Sequence, residues 1–156
     1  MIKIRKGGKS DLKEVIKLIR ELAEYENAID KVKINLYDLE KDGFSENPLF
    51  SFIVAEIQHQ IIGMAFYYTT YSTWDGKCLF LEDLVVTKKY RSQGVGSSLF
   101  KAMIEIAKKN QSNRMMWQIL NWNTPAIEFY KNFNAQISNE WLNGKLNKDQ
   151  IENFKF

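Results

Sequence analysis

Cys78-Leu79-Phe80-Leu81-Glu82-Asp83-Leu84-Val85-Val86, then Arg91-Ser92-Gln93-Gly94-Val95-Gly96, then the helix-like run Ser97 to Lys109 decide how this chain folds. An apolar run feeding a glycine-containing turn that opens a helix points several unpaired backbone N–H groups at one place, where the helix dipole adds about half a positive charge. A phosphate or pyrophosphate suits that place. Gly94 and Gly96 lack a Cβ and let an anion approach the main chain closely, and Arg91 adds a cation at the rim. A strand-turn-helix unit that needs glycine only for packing shows the same landmarks, so the rest of the chain has to decide.

Downstream, Leu99, Met103, Ile106 and Ala107 share one face of the helix, Arg114 to Leu120 reads as a strand, and Thr124-Pro125 opens a short helix containing Ile127, Phe129 and Tyr130. From Ala135 the pattern predicts one or two strands and a polar tail. Upstream, Met1 to Arg5 alternates like a strand. Leu12, Val15, Ile16, Ile19, Leu22 and Ala23 recur at helical spacing to about Glu26, behind a Ser10/Asp11 cap with Glu14 placed to close a capping box on Asp11. A short helix over Tyr37 to Lys41 stops at Gly43, read as a left-handed C-terminal position. Phe50 to Glu56 and Gln60 to Thr70 form a hairpin around Gln58-His59, and Lys77 to Val86 is the next strand. The predicted architecture is an α+β sheet with one parallel junction in its middle.

Composition sets modest limits. The 156 residues predict one domain spanning 1–156, and the 45% apolar and 26% charged fractions are those of an ordinary soluble protein. No apolar run approaches a membrane span, and no secretory signal is read at the start. The single cysteine, Cys78, cannot form an internal disulfide, which fits a cytoplasmic location; it reads as a small core residue. The net charge of +3 is dispersed among acidic residues, so a nucleic-acid partner has no support. His59, in a hairpin turn, reads as a surface residue. No group of His, Cys or acidic residues has metal-ligand spacing, so no metal is expected.

At this point the chain resembles a family. Arg91, Gly94 and Gly96 match the [Arg/Gln]-x-x-Gly-x-[Gly/Ala] acetyl-CoA loop of the GCN5-related N-acetyltransferases (GNAT). Nearly end to end, the chain is similar to the branch of diamine (spermidine/spermine) and thialysine acetyltransferases. Leu18 to Glu26, Asp42-Gly43-Phe44, Phe66-Tyr67-Tyr68, Thr73 to Lys77, Leu81-Glu82-Asp83, Trp122-Asn123 and Phe129-Tyr130-Lys131 carry that likeness. It implies a three-layer α/β sandwich in which helices cover both faces of a mostly antiparallel sheet with one splayed parallel pair. It also implies acetyl-CoA as cosubstrate, a small amine as acceptor, direct attack in a ternary complex, and a homodimer.

The resemblance distributes roles. Main chain at Leu84, Val85 and Val86 would lie beside the pantetheine arm and polarise the thioester, although these three also read as a plain core strand. The amides of Gln93, Gly94, Val95, Gly96 and Ser97 would hold the pyrophosphate, with Arg91 and Ser92 at its edge. Asn123 and Ala126 would complete the cofactor side, and capping the next helix is an equally cheap role for Asn123. Tyr130 is the expected general acid for the departing thiolate; as a pattern it is also an ordinary core tyrosine. Neighbours on a strand face opposite ways, so Glu82 and Asp83 are not expected to act as a pair. Glu82 is the expected anchor or base for the amine, and Asp83 holds a second ammonium or bonds to loop backbone. Tyr25, Glu26 and Trp74 would line the acceptor channel, with main-chain groups of Met116, Trp117 and Gln118 on its other side; core filling (Trp74, Trp117) and a solvated helix end (Glu24, Glu26) are the plain alternatives.

Three departures from the branch bear on the substrate. Ser92 stands where the family usually has glycine, Ser72-Thr73 replaces an acidic residue expected before Trp74, and Asn139-Glu140 shortens an acidic stretch before Trp141. Fewer carboxylates predict weaker attraction for a long polycation, so short diamines and lysine-like amines compete with spermidine. An amino-acid or protein N-terminal acetyltransferase, or a silent acyl-CoA-binding module, are the alternative readings.

Overall fold

The computed structural model describes residues 1–155, which divide into two compact units, residues 1–118 and residues 119 onward. The first unit holds a five-stranded sheet in the order β1-β2-β3-β4-β5: Lys3–Lys6, Ser51–Ile57, Gln60–Ser72, Gly76–Val86 and Arg114–Met116. Neighbours are antiparallel except β4 and β5, which run parallel. The parallel junction therefore lies at the edge of the sheet, not in its middle. Consecutive hairpin pairing uses both edges of β2 and β3, and the strand that returns after α3 (Val95–Lys109) adds to the outer edge of β4.

β5 is shorter than the predicted Arg114 to Leu120, and this shapes the site. Its register with β4 covers only Cys78 to Phe80, so β4 continues for six residues with no strand on that side. The backbone directions there follow from one bond. Thr87 N–H donates to Ile62 C=O at 2.9 Å. In an antiparallel ladder alternate residues face the partner, so Val85 bonds toward β3, while the N–H and C=O groups of Leu84 and Val86 point to the open side.

α1 (Leu12–Tyr25) and α2 (Leu36–Gly43) cover one face, burying Leu12, Val15, Leu18 and Leu39 against Phe52, Val54, Met64 and Val85. α3 covers the other. A Cβ on Gly63, next to Met64 and so turned the opposite way, would lie 3.3 Å from Leu99 Cδ1. Leu99, Phe100 and Met103 are buried on that helix.

Two cap expectations are corrected. Asp11 does not cap α1 with its side chain, because Arg5 Nη1 and Gly8 N–H occupy its Oδ2 at 2.7 and 2.8 Å; Glu14 pairs with Lys17 instead. Arg5 Nε also reaches Glu56 at 2.7 Å, tying the start of α1 to β1 and β2. Gly43 is not left-handed. It is the last residue of α2, and a Cβ there would meet the Phe50 ring at 2.4 Å, so it is close approach that excludes a larger residue. α2 begins on a capping box in which Asn35 and Asp38 accept each other's backbone N–H. The hairpin turn falls at Gln58-His59 as expected, both residues at positive φ, and the His59 side chain is fully exposed.

The second unit contains α4 (Thr124–Lys131) and α5 (Lys148–Glu152). No strand follows Ala135 among the described residues, where one or two were expected; the apolar residues there, Ile137, Trp141, Leu142 and Leu146, are exposed. Among the described residues no helix is long and apolar enough to cross a membrane.

Candidate functional site

β4 does not alternate cleanly. Phe66 pairs with Asp83 and the next residue, Tyr67, pairs with Leu81, which leaves Glu82 without a partner on β3. This one-residue bulge shifts the side-chain parity of β4. Phe80 lies opposite Tyr68 and stacks on it at 5.2 Å, whereas beyond the bulge Asp83 lies opposite Phe66. Phe66 and Tyr68 share a face, so Phe80, Glu82, Asp83 and Val85 all turn toward α1 and α2. The expectation that Glu82 and Asp83 face opposite ways is overturned.

Both line one cavity of about 450 Å³, with Ile19 from α1, Asp38, Leu39 and Asp42 from α2, Ile34, Leu49 and Phe50 from the flanking segments, and Phe66 and Tyr68 from β3. The floor is aliphatic and aromatic. Four carboxylates line it and no basic residue does, which reverses the expectation of a carboxylate-poor channel: the acids come from α2 and the bulge, not from the segments where the family's acids are missing.

Within it the carboxylates differ. Tyr68 Oη donates to Glu82 Oε2 at 3.0 Å, and burial together with that neighbour pushes the Tyr68 phenol up to about 12. No hydrogen-bond donor reaches the Asp83 carboxyl among the described residues. Burial first, then the charges of Glu82 and Glu26, push it up to about 7. Burial also raises Glu26, at the end of α1. The sequence reading placed no role on Tyr68, Asp38, Asp42 or Phe66. A bulge without glycine leaves no local sign, and only the register against β3 brings these residues together.

On the cofactor side, Gly94 is the N-cap of α3 at φ 81°, with nothing within 4 Å of where its Cβ would stand. Helix geometry leaves the N–H groups of Val95, Gly96 and Ser97 without intrahelical acceptors. Gln93 directs its side-chain amide to Lys89 C=O, and only its backbone is turned to this use. Ser92, in the position of the family's glycine, sits at φ 58°, a left-handed conformation that costs a residue with a Cβ about 1–2 kcal/mol.

Arg91 points inward, not along the rim. Its Nε donates to Val86 C=O at 2.8 Å, its Nη2 lies 3.7 Å from Glu21, and its guanidinium lies over the Tyr25 ring. Glu21 also accepts the Lys88 N–H at 2.8 Å. The loop is thus clasped to the end of α1 at Tyr25, and the next residue, Glu26, acts electrostatically on Asp83 of the acidic cavity.

The remaining expected residues are distributed over the structure. Trp74 is exposed in the β3–β4 turn; Glu82 lies six residues along β4 from Gly76, about 20 Å away. Trp117 meets Phe100 of α3 edge-on at 5.3 Å, which is core filling, while Met116 ends β5 and Gln118 is exposed. Val85 is buried, with its backbone turned toward β3, so Leu84 and Val86 carry the open edge. In the second unit Asn123 caps α4, accepting the Ala126 N–H at 3.3 Å, and Tyr130 is buried beside Phe129.

Comparison with known proteins shows the family and the fold. Residues 13–135 match the model of the acetyltransferase (GNAT) family. The chain is 38% identical over 143 residues to a thialysine N-epsilon-acetyltransferase of Bos taurus, covering 86% of this chain and 84% of that one. It is 36% identical over 158 residues to the Homo sapiens spermidine/spermine N(1)-acetyltransferase-like protein 1, covering 95% of this chain and 23% of that longer protein. Among solved structures, an aminoglycoside acetyltransferase from a soil metagenomic sample shares the fold at TM-score 0.78 and 20% identity, covering 94% of this chain and 97% of that one.

Proposed function

Since the chain belongs to the acetyltransferase (GNAT) family, we propose that it transfers the acetyl group of acetyl-CoA to a primary amine of a small diamine, polyamine or lysine-like molecule, by direct attack in a ternary complex. The observation that carries the choice of acceptor is the cavity itself: an apolar floor with four carboxylates and no basic residue suits an alkylammonium and repels an anion. The thialysine and spermidine/spermine names of its relatives point the same way.

The residues present fit acetyl-CoA. Bare N–H groups at the start of α3, open space at Gly94 and an unpaired edge at Leu84 and Val86 are what a pyrophosphate and an amide-rich arm require. When bound, acetyl-CoA supplies an activated acetyl group on a sulfur that leaves as thiolate. Glu82 and Asp83 hold the incoming ammonium, which has a solution pKa of about 10.4 and must lose a proton before it attacks. Backbone N–H at Leu84 or Val86 stabilises negative charge developing on the carbonyl oxygen. Tyr130 supplies the proton to the departing sulfur.

The test is CoA release with acetyl-CoA and a panel of spermidine, short diamines, thialysine, lysine and peptides. Release with one or more diammonium compounds is expected, with monoamines and peptides slower. Binding of acetyl-CoA without release for any amine would overturn the reading in favour of a silent acyl-CoA-binding module. Release only with peptides would favour an N-terminal acetyltransferase.

A further inference from the structure

The bulge places two adjacent carboxylates on one cavity wall, and Tyr68 treats them unequally. We propose that this tyrosine divides the labour between them: Tyr68 is a positioning residue that holds Glu82 as the anionic anchor, and Asp83 is the base that takes the proton from the substrate ammonium. This rests on the amine-acetylating reading above and assigns the proton transfer within it.

The geometry separates the two acids. Glu82 is exposed and receives the Tyr68 O–H at 3.0 Å. That phenol is itself fixed, its ring stacked on Phe80 at 5.2 Å. The donated hydrogen bond holds the Glu82 carboxyl in one place on the cavity wall. Asp83 is set half-buried opposite Phe66 and receives no donor, so nothing in its surroundings favours its anion.

The groups facing it deepen the contrast. Glu82 stands beside it on β4, Glu26 faces it from α1, Asp38 and Asp42 line the same cavity from α2, and Tyr68 on β3 is directed to Glu82. All the acidic neighbours disfavour a negative Asp83, consistent with its carboxyl being pushed up to about 7. A base is most effective when its pKa lies near the working pH. In the step, the substrate ammonium gives one proton to the Asp83 carboxylate, leaving a neutral amine and a neutral carboxylic acid. The amine lone pair then forms the C–N bond as the C–S bond breaks; the surplus proton left on nitrogen balances the one taken up by the departing sulfur, and the neutral Asp83 returns its own proton to water.

The test pairs kinetics with a titration that needs no turnover. In the full-length wild-type protein and its Tyr68→Phe, Glu82→Gln and Asp83→Asn variants, carboxyl carbons labelled with ¹³C are followed by NMR across pH, and kcat/KM for the best amine is profiled over the same range. The expected result is that Asp83 titrates near neutrality, and that Tyr68→Phe moves the Glu82 carboxyl resonance and raises the amine KM severalfold with kcat near wild type. Asp83→Asn should lower kcat at least a hundredfold and abolish the acid limb near pH 7, with acetyl-CoA binding retained. Glu82→Gln should mainly raise the amine KM and keep that limb.

A Glu82 resonance and an amine KM both indifferent to Tyr68→Phe overturn the positioning role. An acid limb that survives in Asp83→Asn and vanishes in Glu82→Gln overturns the division of labour. If wild-type protein releases no CoA with any amine, the acetyl-transfer reading fails, and the carboxyl resonances alone still show whether Tyr68 holds Glu82 and whether Asp83 titrates near neutrality. Should Tyr68→Phe fold poorly, Tyr68→His, which retains a donor, replaces it and should keep the amine KM near wild type.

Discussion

Arg91 lays its guanidinium over the ring of Tyr25, with Cζ 5.0 Å from the ring centroid, while its Nε holds the carbonyl of Val86. The side chain therefore ties the open edge of β4 and the turn before α3 to the end of the first helix. Lysine has one compact charge in place of a planar fork and cannot make both contacts. Arg91→Lys should weaken acetyl-CoA binding about five- to thirtyfold, from the loss of about 1–2 kcal/mol of stacking and hydrogen bonding. Because Glu26 follows Tyr25, the amine KM should rise in the same variant. Unchanged affinity for both, measured by calorimetry and initial rates, would place Arg91 outside the site.

Ser92 bears a Cβ at φ 58°. Glycine relieves that strain but enlarges the unfolded ensemble, so Ser92→Gly should gain at most about 1 kcal/mol, seen as a Tm rise of a few degrees. A β-branched residue should do the reverse. If Ser92→Val melts at the wild-type temperature, the turn is not strained.

Gly43→Ala drives a methyl group into the Phe50 ring, whose Cζ lies 2.4 Å from the new Cβ position. Phe50 is held against Phe66 at 4.3 Å and lines the acidic cavity. The variant should lose about 1–3 kcal/mol of stability and bind amines less well, while acetyl-CoA binding stays near wild type. Equal loss of both affinities would point to general unfolding.

Asp11 is held below the usual carboxylate range chiefly by the Arg5 guanidinium, with a further hydrogen bond from Gly8 N–H. A folded-state pKa below the unfolded one, about 3.9, adds stability above that value and loses it as pH falls through the lower folded value. Wild-type protein should therefore lose stability steeply below about pH 4. Asp11→Asn should start about 1–3 kcal/mol lower at pH 7 and show a shallower acid slope in chemical denaturation.

Tyr130→Phe should lower turnover, with little change in acetyl-CoA affinity, if the phenol protonates the departing thiolate. Turnover unchanged across the pH range would remove Tyr130 from that role.

Much of the frame was legible because its signals are local. The turn Ser92 to Gly96, the helix after it and the Gln58-His59 hairpin each announce themselves in adjacent residues. Interactions between distant segments were not. Asp11 looked like a cap until Arg5, six residues earlier, claimed its oxygens; Gly43 looked like a helix stop until Phe50 arrived beside it. The parity of β4 changes at Glu82 because of how β3 is registered against it, and no residue type in Leu81 to Leu84 marks the place. Trp74 was drawn into the channel by likeness alone, and its position at a hairpin tip follows from strand length.

Gln58 and His59 occupy a turn whose backbone, positive in φ at both positions, strongly prefers Asn-Gly. The fold tolerates an unfavourable pair there, at the end of β3 remote from Phe66 and Tyr68. The protein thus retains an unused margin of robustness. Replacing that pair with Asn-Gly is a means of raising mutational tolerance, so that destabilising changes around the cavity, made to alter which amine it accepts, can accumulate without loss of the native state.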